Sequence, residues 1–174
     1  NNMIITLTGF MGVGKSTIAS RLALYLYCRH KDLDLAIEEG EGTTIDEIFS
    51  TRGEQEFRKL EEEYLEKLIN GCCDKVFVLS LGGGALLSQK NRDLIKRRTF
   101  CIYLKASLET ITERLVKAKK TRPLVKEKSD SELRLHIAQL FDQRKTGYES
   151  AADLTISVDN TNIREILSEI MSSI

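Results

Sequence analysis

The chain has 174 residues, 41% of them hydrophobic, which suits one core without disulfide or metal staples, so a single domain over residues 1–174 is expected. Lys+Arg and Asp+Glu balance at 26 each, which excludes a diffuse footprint for nucleic acid or an anionic membrane and confines any phosphate site to a local cluster. Cys28, Cys72, Cys73 and Cys101 show neither zinc-type spacing nor a disulfide framework, and no apolar run nears 18 residues, so a reduced, cytoplasmic protein without a membrane span or signal peptide is expected.

Taken in chain order, residues 3–8 (MIITLT) form an apolar run of strand length, as do residues 76–81 (VFVLSL) and 100–104 (FCIYL). All three read as parallel strands buried on both faces. A short strand near residues 31–33 and another at 154–158 (LTISV) would make five. Helical patterns fall between them, at residues 15–26 and at 54–70, where Phe57, Leu60, Tyr64 and Leu68 share a stripe and Gly71 sits as the C-cap. Thr44 with Glu47, and Ser129 with Glu132, match the capping box that opens a helix. Strands alternating with helices give an α/β, three-layer sandwich. Residues 117–128 (KAKKTRPLVKEK) are basic, have little periodicity, and read as a mobile loop between two helices.

Gly9 to Ser16 spell GFMGVGKS, a full GxxxxGKS directly after one predicted strand and before one predicted helix. Glycines let successive N–H groups face inward, and the helix N-terminus adds partial positive charge, so the loop holds nucleotide phosphates. Lys15 would reach the β and γ phosphates and Ser16 would ligate Mg²⁺. The motif leaves the nucleotide and the acceptor open, but the short chain favours a small-substrate kinase over a motor or a switch GTPase.

Asp32 and Asp34 lie two apart, on one side of any extended segment. Asp32 could hold Mg²⁺ through its water shell and Asp34 could accept from a substrate hydroxyl; a solvated loop or helix N-cap explains both acids about as well. Arg58, one residue past Phe57, reads alone as a surface arginine pairing with Glu61 or Glu62. Arg122 precedes Pro123, the sole proline, as suits a lid closing over phosphate charge, while a solvated basic loop remains the plainer alternative. Phe49 and Phe57 could form an apolar wall for a ring, and His30 and His136 have no metal-like spacing. The run VFVLSL ends in Gly82-Gly83-Gly84 where a nucleotide-binding strand would carry an acid for the metal.

The blocks GFMGVGKST, KDLDLAIEE, GEQEFRKLEE, LSLGGGALL, TRPLV and QRKTGYESAADLTI resemble shikimate kinase in order, from residue 4 to residue 170. The resemblance implies the P-loop nucleoside monophosphate kinase-like fold, a three-layer α/β/α sandwich with a five-stranded parallel sheet and a mobile lid, here about residues 117–128. It implies transfer of the ATP γ-phosphoryl group to the 3-hydroxyl of shikimate, on the route to chorismate and aromatic amino acids. Gly12, Val13, Gly14, Lys15, Ser16 and Thr17 would bind the ATP phosphates, and Ser16 with Asp32 would hold Mg²⁺. Asp34, Arg58, Gly83, Gly84 and Arg144 would grip shikimate, with Arg144 joining Arg58 on its carboxylate; Gly82 stays open as a plain tight turn. Arg122 would contact ATP and the transferring group, Arg114 would lie against the adenine, and Lys15, Asp34 and Arg122 would carry the catalysis. No nucleic-acid or membrane partner is implied, and a monomer is expected. The polar Cys28-Arg29-His30-Lys31 leaves open whether the strand before Asp32 is regular, and adenine recognition near Asp159 is unassigned. Two rivals remain: a kinase of the same fold acting on gluconate or a nucleoside monophosphate, and a nucleotide-binding module without turnover.

Overall fold

Five strands, Met3–Thr8 (β1), Arg29–Asp32 (β2), Val76–Ser80 (β3), Phe100–Lys105 (β4) and Leu154–Ser157 (β5), form one parallel sheet in the order β2-β3-β1-β4-β5. The computed structural model describes residues 2–121 and 129–174, and the side chains of all of these except 120 and 121. The three central strands are apolar on both faces, with Ile5, Leu7, Val78, Leu79, Ile102 and Leu104 fully buried, because helices flank the sheet. These helices are Lys15–Tyr25 (α1), Leu33–Glu41 (α2), Ile45–Arg52 (α3), Glu54–Asn70 (α4), Gln89–Arg98 (α5), Leu108–Thr121 (α6), Asp130–Ala151 (α7) and Ile163–Ser173 (α8), with a 3-10 turn at Ala85–Leu87.

The strand before Asp32 is regular despite its polar sequence. Arg29, His30, Lys31 and Asp32 pair in register with Phe77, Val78, Leu79 and Ser80. It is an edge strand, so Arg29, His30 and Lys31 can point to solvent, and Arg29 pairs with Asp74 at 3.0 Å. The strand lies earlier than residues 31–33, because Asp32 ends it and caps α2 at once, accepting from the Leu35 N–H at 3.1 Å.

Two further expectations shift. The buried face of α4 is Phe57, Leu60, Glu61, Leu65 and Ile69, so Tyr64 and Leu68 stand only half-buried at its margin. In the 117–128 stretch, α6 continues to Thr121, as the helix-forming run Lys117-Ala118-Lys119-Lys120 favours, and the loop reading there is corrected. Residues 122–128, which hold the rest of the expected lid, lie outside the described residues. The Ser129–Glu132 capping box is complete, and Thr44 accepts from the Glu47 N–H at 3.1 Å.

The central position of β1 matters most for function. Neighbouring strands leave it on both sides, so the loop after Thr8 opens at the carboxyl edge of the sheet, where parallel α/β sheets bind ligands. Asp32, at the end of β2, and Ser80, at the end of β3, are register partners on that same edge.

Candidate active site

The loop between β1 and α1 has the backbone that a phosphate-binding loop requires. Gly12 and Gly14 have φ of 84° and 92°, left-handed values that let the loop curl without a side-chain clash. Gly14 caps α1 without any side-chain bond, so the first N–H groups of that helix have no capping side chain. The Lys15 ammonium bends back onto its own loop, donating to the carbonyls of Gly9 and Phe10. Burial pulls its pKa down to about 8, a drop that Asp34 and Asp32 oppose and Arg144 reinforces. Ser16 and Thr17 are exposed in the first turn of α1, and Val13 is buried beneath the loop.

Asp32 and Asp34 share one cleft, but no extended segment places them there. The chain passes from strand to helix between them, so Asp34 sits in the first turn of α2 while Asp32 holds the cap. The N-cap role weighed for these acids therefore belongs to Asp32, whose other oxygen has no protein partner among the described residues. Burial raises the Asp34 carboxyl above its ordinary pKa, Asp32 adds to that, and Lys15 and Arg58 oppose it. Ser16, Asp32, Asp34 and Ser80 line a cavity of about 580 Å³. Ser80 Oγ is buried there with no hydrogen-bond partner among the described residues. One carboxylate with two hydroxyls nearby suits a hydrated Mg²⁺, which needs few protein ligands.

The three glycines after β3 each give way to one functional side chain. A Cβ on Gly82 would lie 2.6 Å from Asp34 Oδ1, one on Gly83 would lie 3.1 Å from Arg144 Nη1, and one on Gly84 would lie 2.6 Å from Arg58 Nη2. Gly82 is thus as much a part of the site as its neighbours. Among the described residues, the N–H groups of Gly82, Gly83 and Gly84 find no backbone acceptor.

Arg58 and Arg144 converge on this turn from α4 and α7. Arg58 donates to Glu61 at 2.9 Å, lies 3.6 Å from Glu54, and has its guanidinium carbon 5.2 Å from the Phe57 ring centre. Arg144 lies 5.7 Å over the Phe10 ring. Among the described residues the Nε groups of both are buried without a partner, and both guanidinium groups lie beside the glycine turn. Such a pair is ready for an anion.

The surface reading of Arg58 is half right. It does pair with Glu61, but Glu61 is 1% exposed, so the pair is buried at its acid and only partly exposed at Arg58. Burial pushes the Glu61 carboxyl up to about 7, although Arg58 opposes the shift. Phe49 and Phe57 pack at 4.8 Å beside this region. Arg114 reaches the phosphate loop from α6, donating to the Gly12 carbonyl at 2.9 Å. His30 and His136 are exposed, and Arg122 lies outside the described residues. The Asp159 carboxylate accepts from the Ser107 N–H at 3.0 Å.

The burial of Glu61 and the place of Ser80 escape sequence reasoning. An acid on the apolar stripe of α4 was the available signal for Glu61. For Ser80 it was the polar side chain ending an otherwise apolar strand.

A family model described as shikimate kinase matches residues 11–174. The shikimate kinase of Enterococcus faecalis is 39% identical over 171 residues, covering 98% of this chain and 97% of that protein. That of Geobacter sulfurreducens is 40% identical over 166 residues, covering 95% and 87%. The crystal structure of shikimate kinase from Bacteroides thetaiotaomicron has a TM-score of 0.87 at 31% identity, over 98% of this chain and 97% of that one. The shikimate kinase of Acinetobacter baumannii, solved in complex with shikimate, has a TM-score of 0.85 at 31% identity, over 99% and 93%.

Proposed function

The chain belongs to the shikimate kinase family and is an ATP-dependent kinase of shikimate; we propose that the cleft between the phosphate loop and the glycine turn transfers the γ-phosphoryl group to the shikimate 3-hydroxyl. The observation that carries this reading is the glycine turn itself, where each missing side chain makes room for Asp34, Arg144 or Arg58.

Each residue then has a task its surroundings support. The N–H groups of Gly12, Val13, Gly14, Ser16 and Thr17 hold the phosphates, and Lys15 leaves its loop carbonyls to meet the β and γ groups. Ser16 and Asp32, with Ser80 behind them, would hold Mg²⁺, which supplies charge neutralisation between the phosphates. Arg58 and Arg144 clamp the acceptor carboxylate with the Nη groups that they bring to the glycine turn, and the Gly83 and Gly84 N–H groups receive its ring oxygens. Asp34 accepts the hydrogen bond of the attacking hydroxyl, orients it and takes its proton, a role that its raised pKa favours. Arg122 would contact ATP and the transferring group, as the family resemblance implies, and Arg114 would lie beside the adenine. Most of the rate gain in such a reaction comes from positioning and charge stabilisation.

Within the described residues no helix is long and apolar enough to cross a membrane. Four free cysteines fit a cytoplasmic setting. A monomer acting as one domain over 1–174 completes the reading. The test is ADP release with ATP and Mg²⁺ against shikimate, gluconate, AMP and CMP. Turnover with shikimate alone is expected, and silence with shikimate would sink the reading.

A further inference from the structure

Tyr148 has no task in the scheme above, yet it touches two of its parts. It lies four residues beyond Arg144 on α7, so both side chains leave the same face of the helix. Its ring is 1% exposed and packs against Tyr103 at 5.1 Å. The hydroxyl donates to the Gly83 carbonyl, and the nearby Arg144 guanidinium tempers the rise that burial gives its pKa. A Cβ on Gly83 would lie 3.7 Å from that hydroxyl and 3.1 Å from Arg144 Nη1, so the three groups meet at one point.

A peptide unit is planar, with its C=O and N–H pointing opposite ways. Fixing the Gly83 carbonyl therefore fixes the direction of the Gly84 N–H, which has no backbone acceptor among the described residues. Other bonds hold the same turn from behind: Asn91 Nδ2 donates to the Ala85 carbonyl at 2.9 Å and Arg92 Nη1 to the Leu86 carbonyl at 2.7 Å. Gly147, beside Tyr148, brings the α7 backbone against Leu86, where a Cβ would lie 2.7 Å from the carbonyl oxygen. A tyrosine hydroxyl has one proton to give and lone pairs to accept with, so it can donate to Gly83 and accept from Arg144 together. Burial raises its pKa, which keeps it a donor.

We propose that Tyr148 is a positioning residue for the acceptor site: its single hydroxyl sets the Gly83–Gly84 peptide and the Arg144 guanidinium in one geometry, so that the substrate meets an N–H and a cation already aligned. The inference rests on the reading of this cleft as the shikimate site. It assigns Tyr148 no contact with the reacting atoms.

Tyr148→Phe keeps the ring pair and removes only the oxygen. The expected result is a rise of about tenfold in KM for shikimate, the size of one hydrogen bond to a charged group, with kcat within about threefold of the parent and KM for ATP unmoved. Tyr103→Phe, which strips a hydroxyl from the other ring of the pair, leaves both KM values in place. A KM for shikimate unchanged in Tyr148→Phe, or one that rises together with KM for ATP, overturns the proposal. A measurement on the unsubstituted chain guards against a variant that does not fold: amide hydrogen exchange at Gly84 slows when shikimate is added, and an unchanged Gly84 rate also overturns it. Absence of shikimate turnover in the unsubstituted chain would instead defeat the reading of the site. Normal turnover with an unmoved KM in the variant defeats only the role of Tyr148.

Discussion

Arg58 donates to Glu61 at 2.9 Å across one helical turn, and the acceptor is 1% exposed. The guanidinium proposed to clamp the acceptor carboxylate thus carries a buried counter-ion. Removing either partner would leave the other charge stranded, which is more costly than losing a surface pair.

That burial gives the fold a pH signature. The Glu61 carboxyl is pushed from 4.5 up to about 7, so between these values the folded chain binds more protons than the unfolded one. Stability contributed by Glu61 therefore falls as pH rises across that window, and the raised Asp34 acts with the same sign. Thermal unfolding of the unliganded protein followed from about pH 5 to about pH 7 should show this slope, and Glu61→Gln should flatten it. An equal slope in the variant would assign the effect elsewhere.

Lys15 titrates in the opposite sense for function. With its pKa lowered to about 8 by burial, the free protein loses this charge as pH rises through that value. The kcat/KM for ATP should decline above about pH 8, while the kcat profile holds to higher pH because bound phosphates stabilise the ammonium. Parallel decline of both profiles at one pH would contradict the assignment.

Alanine at each glycine of the turn separates three tasks. None of the three has left-handed backbone, so the effects come from contact alone. Gly84→Ala pushes the Arg58 guanidinium and should raise KM for shikimate by about tenfold or more. Gly82→Ala pushes the Asp34 carboxylate and should act mainly on kcat. Gly83→Ala meets Arg144 Nη1 at 3.1 Å, the end of a flexible side chain, and should be the mildest. Steady-state kinetics with both substrates checks the order.

Asp34→Asn tests the proton acceptor. The amide keeps shape and hydrogen bonding but cannot take a proton, so kcat should fall by roughly 10² to 10⁴ with nucleotide binding retained. Near-normal turnover would remove Asp34 from the chemistry.

Much of this site is legible in the chain because its parts are local. The phosphate loop needs glycines and a lysine at fixed spacing between a strand and a helix, and the structure has them in that context. The strand-length apolar runs needed only pattern, and Gly71 does cap α4. What was hidden depends on contacts across the fold. The regularity of β2 follows from its place at the sheet edge, which its four residues do not reveal. The burial of Glu61 comes from the way α4 rolls toward the glycine turn, moving the inner face to Glu61, Leu65 and Ile69. Gly82 looks like any turn glycine until Asp34 is seen against it.

The junction at Asp32, Leu33 and Asp34 has one further consequence. No loop separates β2 from α2, and Leu33, wholly buried, is the only residue between the two carboxylates. The spacing between the donor half of the cleft and the acceptor half is therefore set by covalent geometry, anchored at a single side chain. Neither half can be retuned there without disturbing the other, so a change of acceptor is more readily made at the far wall, on α4 and α7, than at the acids themselves.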